Sequence, residues 1–229
     1  MTLFETVILA MGLAWASGIN LYATLGLLGI LGIGGQLDLP PDLEMIQHPG
    51  IIVIAVVLYV IEFVADKIPA VDSLWDGVHT FIRIPAGAMI ASGMLGDVSI
   101  EAQVMAFMGG GGLAALSHTV KAGSRAVINT SPEPFTNIIA SITEDIFVIG
   151  GLFIAIFNPT AFAVFLAIFL IIAIWIIPKI LRGIRKVFHF LTGKKVENTL
   201  THATTESSKD SFQLGDQVLV KDLRKIEKS

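Results

Sequence analysis

Between Glu62 and Arg83 the chain reads EFVADKIPAVDSLWDGVHTFIR, which puts four acids, two bases and a histidine into 22 residues. At helical period Glu62 and Asp66 share a face, and so do Asp72, Asp76, His79 and Arg83. The same spacing recurs in His118, Lys121 and Arg125, and again in Asn137, Ser141 and the pair Glu144/Asp145. Carboxylates beside bases can pair with them, bind a proton or a cation, or share an anionic group. The apolar run Ile51 to Ile61 directly precedes the first stripe. Charge next to hydrocarbon is costly enough to need a purpose.

Opposite charges on neighbouring helices can neutralise one another, so ion pairs that fix helix register are one reading of the cluster. The count favours more than that. Six acids (Glu62, Asp66, Asp72, Asp76, Glu144, Asp145) face four bases (Lys67, Arg83, Lys121, Arg125), which leaves acids in need of a proton, a cation or water. His79 and His118 are expected as hydrogen-bonded partners of the acids. No HExxH spacing, EF-hand loop or phosphate-binding GxxxxGK[ST] motif is present, so neither a zinc hydrolase nor an ATP-driven pump is indicated. No cofactor is expected.

The elements that must carry these stripes are membrane helices. Of 229 residues, 54% are hydrophobic and 15% charged, and mean hydropathy is +0.77. A soluble domain carries about 25% charged residues. The chain has no cysteine, which excludes disulfides and thiolate chemistry. No positive n-region or cleavage site marks a signal peptide, so the first apolar segment is expected to be retained.

Six spans are expected in an all-α membrane bundle. The first, Leu3 to Gly35, would be roughly 45 Å long against a hydrocarbon core of about 30 Å. It must tilt, bend or break near Ser17 to Asn20. Asn20 and Tyr22 there are expected to bond across spans or to line the site. The second span is Pro49 to Ala65. The third is Trp75 to Leu95, with a re-entrant segment as the alternative because Arg83 and Pro85 lie inside it. The fourth runs from Ala102 to Arg125, and its glycines Gly109 to Gly112 are read as close packing. Phe135 to Phe157 and Ala161 to Ile177 complete the set.

Residues 1–178 thus form the membrane domain. Residues 179–195 form a basic amphipathic segment lying on an anionic leaflet, and 196–229 a polar tail. All 15 Lys and Arg residues fall on one side of the six-span scheme, and the opposite loops carry only acids. The positive-inside rule then puts both termini in the cytoplasm. GLAWAS (Gly12 to Ser17) and GLAALS (Gly112 to Ser117) match at four of six positions. That echo suggests a 3+3 inverted repeat, an architecture in which substrate sites lie between the halves.

The stretches NLYATLGLLGI (Asn20 to Ile30), IEFVADKIPAVDSLWD (Ile61 to Asp76), HTVKAGSRAVINTSPEPFTN (His118 to Asn137) and SITED (Ser141 to Asp145) resemble a known family. They are similar to the bacterial integral membrane proteins catalogued as domain of unknown function 4126. The resemblance covers Phe4 to Phe157 and implies a membrane protein, with no activity and no residue roles.

The function expected is a secondary transporter or flippase-like protein of the bacterial inner membrane. Its binding set would be Asn20, Glu62, Asp66, Asp72, Asp76, His79, Arg83, His118, Lys121, Arg125, Asn137, Ser141, Glu144 and Asp145. An intramembrane enzyme acting on lipid head groups and a non-catalytic assembly factor are the alternatives. Expected partners are the lipid bilayer and a small ion, small molecule or lipid. No nucleic acid is expected, and self-association into a homo-oligomer stays open.

Overall fold

A computed structural model describes residues 1–129 and 134–185, and these are helical almost throughout. The helices are α1 (Leu3–Ile19), α2 (Leu21–Ile33), α3 (Pro49–Ala65), α4 (Pro69–Gly93), α5 (Ile100–Ile128), α6 (Pro134–Phe157) and α7 (Pro159–Arg185), with a 3-10 turn at Pro41–Gln47 before α3. Met1–Arg182 forms one compact unit, and of the second, Gly183–Ser229, only 183–185 are described. The tail and most of the basic amphipathic segment therefore lie outside the described residues, as does the linker 130–133.

Most of the helices begin at a capping side chain or a proline. Thr2 and Glu5 form a reciprocal capping box at α1. Ser99 Oγ accepts from Ala102 N at α5, and Asn158 Oδ1 from Ala161 N at α7. Proline at the first turn opens α3 and α4. Pro85 lies inside α4 without ending it, and the nearby carbonyl of Arg83 accepts a bond from Ser17 Oγ. The third expected span is thus one helix of 25 residues that starts earlier than Trp75. By length and composition α6 and α7 can each cross a membrane, and the 3-10 turn with α3 can do so as one span bent by 67°. These apolar helices indicate a membrane location.

The first span differs most from expectation. It breaks at Asn20, and the chain then turns back. Met1, Glu5 and Thr6 line one cavity of about 450 Å³ together with Gln36, Leu37, Asp38 and Pro40. A straight helix over the same residues would hold those ends roughly 45 Å apart. The neighbours agree. Along α1, Met11 lies against Gly109, Ala14 against Gly110, and Gly18 against Ala114 and Ser117, so α1 runs parallel to α5. Along α2, Gly26 lies against Ala55 and Val56, and Gly29 against Ile52, so α2 runs antiparallel to α3.

Two expectations fall with this. The segments 12–17 and 112–117 lie on helices of the same direction, so inversion does not relate them. The start of α1 and the far part of α7 also lie at opposite ends of the bundle. Pro159 shares the cavity with Met1, whereas Ile180 packs on Gly123 near the end of α5. Placing both termini on one face assumed that the first apolar run crosses once. It does not.

The core joins α1 to its neighbours through Trp15, which meets Phe162, Phe165 and Phe169 edge-on. Small residues set the spacing, and of the four glycines read as close packing Gly110 and Gly111 press on Ala91 and Ala88, whereas Gly112 faces open space. A Cβ on Gly110 would collide with Ala91 Cβ, and one on Gly18 would stand on the carbonyl oxygen of Ala114.

Candidate functional site

The end of α3, the first half of α4, the second half of α5 and the first half of α6 meet at one level of the bundle. The stripes that these segments carry form a connected set of ion pairs. Arg83 of α4 binds Glu62 through Nη2 and Asp76 through Nη1, the latter at 2.9 Å. Lys121 of α5 reaches Asp66 at 3.0 Å, Glu62 at 3.3 Å and Asp76 at 3.7 Å. Arg125 forks onto Glu144 of α6, with Nη2 to Oε2 at 2.8 Å and Nε to Oε1 at 3.1 Å. Its Nη1 donates to both oxygens of Asn137, whose amide in turn donates to the Asp66 carbonyl at 2.8 Å. One network thus links four helices.

Burial is nearly complete. Glu62, Asp66, Asp72, Asp76, Arg83, Lys121, Arg125, Asn137, Ser141 and Asp145 are all buried, as are Asn20, His79 and His118. Glu144 is the exception, its side chain 22% exposed. It forms the open edge of the network.

The histidines are hydrogen-bonded, but to neighbours other than the acids that the sequence suggested. His79 Nδ1 donates to the Trp75 carbonyl at 2.8 Å, and Nε2 accepts from Tyr22 OH at 2.9 Å. His118 Nε2 meets Thr80 Oγ1 at 2.7 Å, and Arg83 Nη1 donates toward its Nδ1 at 3.4 Å. Among the described residues no three His, Asp or Glu side chains are placed to share a metal ion.

Two acids stand apart from the bases. Neither Asp72 nor Asp145 makes an ion pair among the described residues. Asp72 Oδ2 accepts from Asn129 Nδ2 at 2.8 Å, and Asp145 Oδ1 from Asn20 Nδ2 at 3.1 Å. The second oxygen of each is buried without a hydrogen-bond partner, and so are Glu62 Oε2, Asp66 Oδ1, Asp76 Oδ2 and Ser141 Oγ. Lys67, counted with the bases from sequence, is not in the network. Its Nζ bonds the Phe63 carbonyl at 2.7 Å and lies over that ring. Among the described residues, five buried acids and the part-exposed Glu144 therefore face three buried bases.

Asn20 is the joint between α1 and α2. Its N–H donates to the Ala16 carbonyl and closes α1, while its Oδ1 accepts from Ala23 N and opens α2. Thr24 Oγ1 takes up its carbonyl at 2.8 Å. An interrupted helix at membrane depth is tolerated where protein surrounds it, and Asn20 is buried. The start of α2 also presents its positive dipole end where Asp145 sits, a favourable setting for a carboxylate.

Thr80 and Asn129 were missed from sequence. Thr80 lies four residues past Asp76, a spacing that could have flagged it. Nothing local marks Asn129 as the partner of Asp72, since 57 positions separate them.

No curated protein and no solved structure matches the chain. A family model described as a domain of unknown function (DUF4126) matches residues 7–179, beyond Phe157 and through most of α7. The chain belongs to the DUF4126 family.

Proposed function

We propose that this protein is a secondary transporter or flippase-like protein of the inner membrane, in which the buried acids without a base carry the coupling proton. The observation behind this reading is the imbalance of five buried acids and the part-exposed Glu144 against three buried bases, with Asp72 and Asp145 outside every ion pair among the described residues. A carboxylate taken out of water needs a partner charge, hydrogen bonds or a proton. Glu62, Asp66, Asp76 and Glu144 have bases. Asp72 and Asp145 each have one amide. Proton carriers in transporters are acids of this kind, buried in the bundle and linked to a network that can rearrange.

The bases have a different part. Arg83, Lys121 and Arg125 each bridge at least two acids, so a change of charge at one acid is felt by the others. Exposure of Glu144 favours entry from its end of the bundle. That end also carries Lys179 and Arg182 of α7, and the positive-inside rule makes it the cytoplasmic one.

The complete pairing of the three bases favours a second reading, a scaffold whose charges only fix helix register. Accessibility separates the two. Ser141 lies one turn before Asp145, and its Oγ has no hydrogen bond to lose. In Ser141→Cys, transport requires that the thiol react with an impermeant reagent from either face of sealed right-side-out and inside-out vesicles, with relative rates that change with pH. Reaction from one face only, at every pH, would overturn transport.

A further inference from the structure

We propose that α1 and α2 form a re-entrant hairpin, inserted from the non-cytoplasmic face, whose tip residue Asn20 closes the candidate proton site from that side. This topology stands independently of the transport reading. Its first support is length. With 17 and 13 residues, α1 and α2 measure roughly 25 and 20 Å, each short of a hydrocarbon core of about 30 Å. Next comes direction. The outer ends of both helices line one cavity, while the tip reaches Asp145 in mid-α6. The chemistry of the turn agrees, because the Asn20 side chain and Thr24 satisfy the backbone groups that a break at this depth leaves open.

Charge then selects the face. The end of the bundle that holds the hairpin's base carries Glu5, Asp38, Asp42, Glu44, Asp97 and Glu101, and no Lys or Arg among the described residues. The opposite end carries Lys67, Lys179 and Arg182. A hairpin that returns to its own side leaves five crossings, by α3 together with its 3-10 turn and by α4 to α7. An odd number puts the start of α1 outside and the far part of α7 inside, with every described base at or near the cytoplasmic end. Six crossings would put Glu5 and the acidic loops on opposite faces. The structure has them around one cavity.

Between that cavity and Asp145 the packing is dense. A Cβ on Gly12 would stand 2.9 Å from Ala155 Cβ, and one on Gly151 would stand 2.6 Å from the Trp15 ring. The α1 arm of the hairpin is thus seated against α6 and α7, and on its side the outer route is shut.

The test uses impermeant thiol labelling, and the native chain contributes no cysteine. Thr2→Cys and Asp38→Cys should both label in intact cells, whereas Arg182→Cys should label only after permeabilisation. Leu3→Cys replaces Thr2→Cys where loss of the helix cap impairs expression. If position 2 or 3 is protected while Asp38→Cys labels, the first apolar run crosses the membrane and the hairpin is wrong. Labelling of Arg182→Cys with protection of both other sites would overturn the assignment of faces. Neither outcome bears on whether Asp145 carries a proton, which the Ser141→Cys rates address separately.

Discussion

The side-chain amide of Asn20 donates to Asp145 at 3.1 Å across 125 positions of chain, and it is the one hydrogen bond found for that carboxylate among the described residues. The same side chain accepts from Ala23 N. A single amide therefore both starts α2 and holds an unpaired acid, so the helix break and the candidate site are one structural feature.

Asn20→Ala should destabilise through both roles. Loss of the cap costs about 0.5–2 kcal/mol, and the Asp145 oxygen left without its donor adds about 1–3 kcal/mol. Asn20→Asp keeps the cap, and a protonated Asp145 can donate its proton in a bond to the new carboxylate. It should therefore be the more stable of the two at neutral pH and lose that advantage as pH rises and the shared proton leaves. Thermal unfolding in detergent at two pH values measures this.

Gly110 and Gly112 are two residues apart on α5 and should respond in opposite directions. A methyl at Gly110 collides with Ala91, which overpacks the α4–α5 contact and should cost about 1–3 kcal/mol. Nothing stands within 4 Å of a Cβ on Gly112, so alanine there should gain up to about 1 kcal/mol of helix propensity. Melting temperatures of Gly110→Ala and Gly112→Ala would show the split. Equal shifts would mean that the glycine run does not set the helix spacing.

At the network, Arg125→Gln should cost more than Glu144→Gln. Removal of one partner of a buried pair costs about 3–5 kcal/mol. Arg125 serves Glu144, Asn137 and the Asp66 carbonyl together, so its loss should lie in that range. When Glu144 is neutralised, Arg125 keeps the bonds to Asn137 and Asp66, and Glu144 is itself partly exposed. The cost there should fall below the range. The double variant should be more stable than the sum of the singles predicts, because each removes the same pair.

Much of this site was legible because helical spacing is a local property. Stripes at three and four residues put Asp76 with Arg83, Lys121 with Arg125, and Asn137 with Glu144 on faces that meet. Partners across helices were not legible. Asn129 and Asp72 carry no shared signal, and Lys67 turns to Phe63 although it lies beside Asp66. The break at Asn20 could be read from length and polarity, but not the reversal that follows, since hydropathy has no direction. The reading of one continuous span over Leu3 to Gly35 was lost at that one residue.

Under the transport reading Asp145 and Asp72, buried without a base among the described residues, hold protons that infrared spectroscopy of the carboxyl C=O stretch can detect. At neutral pH the protein should show a protonated-carboxyl band, reduced in Asp145→Asn and absent from the Asp72→Asn/Asp145→Asn double variant, while Glu144→Gln leaves it in place. A native protein without such a band at neutral pH, or a band that survives in the double variant, would contradict the account.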